Sequence, residues 1–197
     1  MHYINAFESD GKIIFDGLRY DDATLLLSAY RQLMSGKWGE GKDADLIFPK
    51  LVRFTLDKQG VSQEVVSNNY YEFPSIDYRT LGSEYNSVVL LKRRKGEKLK
   101  GGTAYYRSVV VRDMKTGLES GYRYNSGEIP EEHIYISDRK KSGGVGGWVI
   151  GTTYSMKKRK TAIYIFDAGK MSAGPVAKGS LKYGVPISSH GTYVPDF

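Results

Sequence analysis

Three histidines, His2, His133 and His190, are the only imidazoles in a chain of 197 residues that contains no cysteine. Thiol catalysis, disulfide scaffolds and cysteine zinc sites are therefore excluded, and any metal must be held by histidine nitrogen and carboxylate oxygen. The histidines show no His-x-His or His-x-x-x-His spacing, and no Ser-His-Asp arrangement is readable. Taken singly, each is accounted for by a structural or solvent-facing role. Two of them have neighbours suited to a cavity wall: Asn5 and Ala6 follow His2, while Ser189, Gly191 and Thr192 surround His190. Each of these two also begins or approaches a strand-like segment. Carboxylates matter here as orienting groups, because a metal-bound imidazole usually donates its other N–H to one. Glu72 and Glu132 both lie in apolar stretches, where an unpaired carboxylate is costly. The alternative for each is an exposed charge at a strand end.

The elements that must position these residues read as strands. Tyr3–Glu8 and Lys12–Tyr20 alternate apolar and polar residues around Ser9-Asp10-Gly11, and an Asp-Gly pair is a strong hairpin signal. Leu46–Leu56 and Val61–Tyr71 flank a second turn, Asp57-Lys58-Gln59-Gly60. Val88–Leu91, Tyr105–Arg112, Glu119–Tyr124, Ile134–Ser137, Trp148–Tyr154, Thr161–Asp167, Pro175–Leu181 and Gly191–Val194 complete the strand-like set. One helix is expected over Ala23–Met34, with Asp21-Asp22 as its cap and Gly36 as its stop. Gly143–Gly147 does not read as a phosphate loop, since it leads into a strand and not into a helix. Short antiparallel strands at near-regular spacing predict an all-β sandwich, barrel or propeller with one short helix.

Composition agrees. Tyr (16) and Gly (23) are plentiful, as suits pleated surfaces joined by tight turns. The net charge of +7 is concentrated in Lys92–Lys95, Arg139–Lys141 and Lys157–Lys160. Each run falls between strands and is expected to be a solvated hairpin tip. No aromatic-basic RNA-binding pattern, helix-turn-helix or zinc finger accompanies them, so no nucleic-acid partner is expected. No apolar run reaches the length of a membrane span. No signal peptide is visible either, and with the lack of cysteine a cytoplasmic protein is expected.

Four segments together resemble the carotenoid cleavage oxygenases, a family that includes the apocarotenoid and lignostilbene dioxygenases. His2, Asn5, Ala6 and Glu8 match the family's His-x-x-Asn-Ala-x-Glu motif. Glu72, Phe73, Pro74, Ile76 and Asp77 match Glu-Phe-Pro-x-Ile-Asp. Glu132-His133-Ile134-Tyr135-Ile136 is similar to Glu-Pro-x-Phe-Val, with His133 in place of the usual proline. His190, Gly191, Thr192, Tyr193 and Val194 match His-Gly-Thr-aromatic-Val. Trp148–Tyr154, Thr161–Gly169 and Pro175–Ala177 follow the family's closing segments in order, so the resemblance spans nearly the whole chain.

The resemblance implies a seven-bladed β-propeller with Fe(II) on its axis, of which residues 1–197 are a single partial domain carrying the C-terminal blades. It implies four histidine ligands, two of them His2 and His190, with Glu72 orienting His2 and Glu132 orienting His190. The reaction it implies is cleavage of a conjugated C=C bond of a carotenoid, apocarotenoid or stilbene-like substrate by O2, giving two carbonyl products. The full-length protein is expected to touch membranes peripherally. His133 is expected not to be a ligand, because it alternates away from Glu132 on a strand. Tyr71, Phe73 and Tyr193 could line a substrate tunnel, though core packing accounts for them equally. The family's first two histidine ligands lie outside this chain, so the isolated chain is expected to be inactive. The rival readings are a non-catalytic β-propeller fragment or binding module and a basic surface-binding protein.

Overall fold

The computed structural model of the chain describes residues 2–21, 48–97, 106–138, 146–186 and 190–194. Eleven antiparallel strands are present among them: β1 His2–Ser9, β2 Lys12–Arg19, β3 Lys50–Asp57, β4 Gly60–Ser75, β5 Ser87–Arg93, β6 Ser108–Asp113, β7 Glu119–Arg123, β8 Glu128–Ser137, β9 Gly147–Ser155, β10 Lys160–Asp167 and β11 Ala177–Ser180. The helix expected over Ala23–Met34, the basic run Arg139–Lys141 and most of the glycine loop lie outside the described residues. No helix among the described residues is long and apolar enough to cross a membrane.

The strands form three four-stranded meanders. β1–β2–β3 pair with the first half of β4, whose Gly60–Val65 run along β3. The second half of the same strand, Tyr70–Ser75, pairs with β5 and opens a second meander through β6 and β7. β4 is thus the last strand of one blade and the first strand of the next. β8–β9–β10–β11 form the third blade. The β1–β2 turn follows the sequence signal directly: Asp10 and Gly11 have φ of 52° and 70°, the left-handed pair that matches the twist of a hairpin.

The blades stack face to face. Ile4, Phe7, Leu18 and Leu51 of the first blade pack on Tyr71, Tyr85, Val88 and Leu90 of the second. The opposite face of the second blade, with Val89, Leu91, Val109 and Tyr124, packs on Tyr135, Val149, Tyr164 and Phe166 of the third. Sheets stacked on apolar faces around a common axis make this an all-β propeller fragment. Buried Asp16 accepts two hydrogen bonds from Arg53, both at 2.8 Å, and one from Tyr85 at 2.7 Å, tying the two blades together with every charge partnered.

Three expectations change. β4 and β8 run beyond Val61–Tyr71 and Ile134–Ser137, because ladder pairing extends the backbone through Pro74, Pro130 and the polar residues that break the alternation. Pro130 is tolerated because β8 is an edge strand of its sheet. Gly191–Val194 form no strand, and the Gly191 N–H goes to a side chain instead. Lys92 and Arg93 are not a solvated tip. Lys92 pairs with Glu119, and buried Arg93 lies 4.7 Å over the Phe48 ring. The Lys157–Lys160 run does sit at an exposed turn between β9 and β10.

His133 is completely buried in the third blade. Its Nδ1–H donates to the Glu131 carbonyl at 2.7 Å, and Nε2 accepts from the Tyr124 hydroxyl at 2.6 Å. Both nitrogens are used, so His133 has no lone pair left for a metal. Burial pushes its pKa down to about 4 from the ordinary 6.5. The unfolded chain therefore takes up this proton first as pH falls. The stability that His133 permits above pH 6.5 is lost between there and about 4, an effect of about 3 kcal/mol. His133→Gln, which does not titrate, is expected to flatten the acid limb of thermal midpoint against pH over that window. An unchanged acid limb would show that other groups govern it.

Candidate metal centre

The first strands of the three blades bring the site together. His2 begins β1, Glu72 lies near the end of β4, and Glu132 lies in β8. The C-terminal segment places His190 beside them. The His2 and His190 rings meet with centroids 5.3 Å apart and planes at 88°. His2 Nδ1 hydrogen-bonds Glu72 Oε2, and His190 Nδ1 hydrogen-bonds Glu132 Oε1 at 3.2 Å. In both rings Nε2 makes no hydrogen bond to a described residue, which leaves the nitrogen that faces away from the carboxylate available. Neighbouring side chains of a strand point to opposite faces, and in β8 Glu132 reaches His190 while His133 turns into the core.

The two arms differ in how they are held. Buried Glu72 accepts from His2, from the Tyr20 hydroxyl at 2.5 Å and from the backbone N–H of Phe73 at 2.8 Å. Glu132 accepts from His190 and from the Gly191 N–H at 2.5 Å. The His2 side chain is 37% exposed and that of His190 59% exposed. The hydrogen bond to Glu72 raises the His2 pKa above the ordinary histidine value, against the opposing effect of burial. Burial and the Glu72 carboxylate together push the Tyr20 hydroxyl far above the usual phenol range, so it stays a donor.

Phe73 links the two arms. It adopts φ of 53°, the left-handed region that a non-glycine residue occupies at a cost of about 1 kcal/mol. Pro74 disfavours the right-handed alternative. In this conformation the Phe73 N–H reaches the carboxylate of its own neighbour, and its ring lies 6.1 Å from His2 and 5.9 Å from His190. Of the other aromatics expected near a tunnel, Tyr71 is fully buried and bonded to Ser67 and Glu119, so it belongs to the core; Tyr193 is half exposed. Asn5 of the first motif serves the fold. Its amide spans Thr80 O, Ser83 O and the Gly82 N–H, clamping the segment after a 3-10 turn at Tyr78–Thr80. Tyr20 is the residue that sequence reading passed over. It reads only as the end of an alternating strand, and nothing in that pattern announces a partner 52 positions away.

A profile of the retinal pigment epithelial membrane protein family, RPE65, matches residues 1–195. The chain belongs to the RPE65/carotenoid oxygenase family. It is 24% identical over 197 residues to the apocarotenoid-15,15'-oxygenase of Synechocystis sp., covering 98% of this chain and 38% of that protein. It is 24% identical over 199 residues to the carotenoid 9,10(9',10')-cleavage dioxygenase 1 of Arabidopsis thaliana, covering 98% of this chain and 36% of that protein. Among solved structures, a single-residue variant of Synechocystis apocarotenoid oxygenase superposes with a TM-score of 0.83 at 22% identity, over 100% of this chain and 39% of that one. A cobalt-substituted form of the Synechocystis enzyme gives a TM-score of 0.81 at 22% identity, over 99% and 39%. These likenesses show the family's propeller fold in this chain. The chain spans less than two-fifths of the length of the relatives it matches.

The donor set suits part of a metal centre of this family. Two imidazoles are oriented by carboxylates, in the arrangement that fixes the tautomer of a metal-bound histidine. Among the described residues no group of three or more His, Cys, Asp or Glu side chains could hold a metal ion. What the chain brings together is two imidazoles and the two carboxylates that hold them.

Proposed function

We propose that this chain is the part of a non-haem Fe(II) dioxygenase that supplies His2 and His190 as two of four iron ligands. Glu72 and Glu132 orient them, and the enzyme cleaves a conjugated C=C bond of a carotenoid, apocarotenoid or stilbene-like substrate. The observation that carries this reading is the perpendicular imidazole pair, each ring anchored through Nδ1 and presenting Nε2. The curated relatives named for carotenoid and apocarotenoid cleavage support the substrate class.

Iron held by His2, His190 and two further ligands would supply O2 activation for cleavage of the double bond to two carbonyl products. The chain's own residues do the positioning. Glu72 and Glu132 hold the proton of each imidazole on Nδ1, so that Nε2 keeps its lone pair. Tyr20 and the Phe73 N–H occupy the remaining acceptor capacity of Glu72 and fix its plane. The Phe73 ring lies beside both imidazoles and supplies an apolar neighbour to each. No general acid or base is needed, in keeping with a site built of ligands and their supports.

The isolated chain is expected to hold iron at well below one equivalent and to leave apocarotenoid substrates uncleaved. The check is metal analysis after anaerobic Fe(II) loading, together with O2-dependent product formation, for the chain alone and for a protein that also carries the remaining blades. Stoichiometric iron and turnover by the chain alone would contradict the two-ligand reading. A non-catalytic module predicts neither iron nor turnover in the larger protein.

A further inference from the structure

The third blade encloses a phenol and a base that the proposed iron chemistry does not use. Tyr124 is 1% exposed, and its hydroxyl donates to Nε2 of the completely buried His133 at 2.6 Å. The His133 Nδ1–H is spent on the Glu131 carbonyl at 2.7 Å, which fixes the tautomer and turns the basic nitrogen to the phenol. Two further tyrosines lie against the Tyr124 ring. The Tyr122 centroid is 5.0 Å away with planes at 88°, and the Tyr164 centroid is 5.3 Å away with planes at 82°. Tyr122 is only partly buried. The Tyr164 hydroxyl donates to Glu128 at 3.0 Å and accepts from Lys178, whose side chain is 43% exposed. The cluster therefore runs from the closed core to the outer strand β11. On its other side, His133 is the chain neighbour of Glu132, which holds His190.

Removing one electron from a phenol makes it a strong acid. In a closed core the resulting cation is costly, so oxidation needs a base that takes the proton in the same event. His133 is such a base. Burial keeps it neutral, with its pKa pushed down to about 4, and even so an imidazole binds a proton far more tightly than an oxidised phenol does. Tyr85 and Tyr71 are bonded as closely, to Asp16 and Glu119. Those carboxylates are weaker bases, because Arg53 already pairs with Asp16, and Lys92 and Arg112 with Glu119. His133 also stands where the matched motif has proline, which could accept no proton.

We propose that Tyr124 is a one-electron donor and His133 its proton acceptor, with Tyr122 and Tyr164 relaying electrons from the outer edge of the third blade. An oxygen-derived oxidant at the metal centre takes one electron from Tyr124 while the hydroxyl proton moves to His133 Nε2. The products are a neutral phenoxyl radical, an imidazolium that keeps its Nδ1–H on the Glu131 carbonyl, and an oxidant reduced by one electron. A thiol or ascorbate in solution then returns an electron through Tyr122 or Tyr164, and the proton goes back from Nε2 to the phenol. The pair discharges oxidant formed when O2 reacts without substrate, before it attacks the His2 and His190 rings. The identity of the oxidant rests on the proposed function; the redox pair itself does not.

The test first supplies the oxidant by light, so that no metal in the protein is needed. The chain is flashed with tris(bipyridine)ruthenium and an electron acceptor. Tyrosyl radicals are followed by transient absorption and, after rapid freezing, by electron paramagnetic resonance. Radicals on the exposed Tyr3, Tyr78 and Tyr183 are expected to couple and vanish quickly. A persistent radical is expected to remain, to survive in Tyr183→Phe and to be lost in Tyr124→Phe. In His133→Gln it is expected to form about 100-fold more slowly, because an amide takes no proton. In heavy water the parent radical is expected to show a strongly coupled deuteron, the one handed to His133, and this readout needs no variant. The absence of a persistent radical, one that Tyr124→Phe leaves in place, or one that forms as fast in His133→Gln overturns the proposal. The second arm uses a chimera in which this chain replaces the matched portion of the Synechocystis apocarotenoid oxygenase, loaded with Fe(II) and given O2 without substrate. The same radical is expected. A chimera that cleaves an apocarotenoid yet forms no radical on Tyr124 overturns the assignment of the oxidant. A chimera that binds no iron counts against the proposed function, and the photochemical arm still decides the pair.

Discussion

Glu72→Gln is expected to lower the metal affinity of the complete oxygenase by about 10- to 100-fold while leaving its fold near native. Glu72 is the acceptor for three donors: His2 Nδ1–H, the Tyr20 hydroxyl and the Phe73 N–H. Oε2 takes both the His2 Nδ1–H and the Phe73 N–H, while Oε1 takes Tyr20. A glutamine whose NH2 stands at the Oε2 place turns a donor on His2 and on the Phe73 N–H; with its oxygen there it keeps both bonds but loses the negative charge that makes the imidazole a stronger ligand. Glu72→Ala should lose the same affinity and also stability, by about 1–3 kcal/mol, because the Tyr20 hydroxyl and the Phe73 N–H are left without their acceptor. Isothermal titration with Co(II), alongside urea unfolding of each variant, separates the two effects. If Glu72→Gln binds metal as tightly as the parent, the Glu72 charge does not strengthen His2 as a ligand. If Glu132→Gln has the larger effect, the less buried arm is the one that matters.

Gly151→Ala is expected to destabilise the third blade strongly. Gly151 lies opposite His133 across the β8–β9 ladder, and a Cβ there would sit 2.3 Å from His133 Cγ. The ring cannot give way. It is held on one side by Tyr124 and on the other by the Glu131 carbonyl, with Phe166 against it at 6.2 Å between centroids. Overpacking in a closed core costs about 1–3 kcal/mol and more when nothing relaxes, so a loss of about 3 kcal/mol or more is expected. Urea midpoints of Gly151→Ala, His133→Ala and the double variant form a cycle. The expected sign is a double variant less destabilised than the sum, because truncating the ring empties the space that the new methyl needs. Strict additivity would mean that the close approach is relieved by backbone movement instead.

Much of this molecule is legible in its sequence because the cues are local. Asp10-Gly11 sets a hairpin, alternation sets most of the strands, and the absence of cysteine limits any metal donor to histidine and carboxylate. The four ordered motifs place His2, His190, Glu72 and Glu132 in one family, and the profile match over residues 1–195 agrees. Tertiary structure decided what depends on contacts between blades. The bond between Tyr20 and Glu72 spans 52 positions and that between His190 and Glu132 spans 58, distances over which no periodicity carries information. Alternation along β8 already parts His133 from Glu132, but only the packed third blade sets the His133 ring between the Tyr124 hydroxyl and the Glu131 carbonyl. Arg93, read as part of a solvated run, is buried over Phe48 because stacking blades enclose the end of its strand. Local chemistry therefore determined which residues could serve a metal, while the stacking of blades around an axis decided which of them meet.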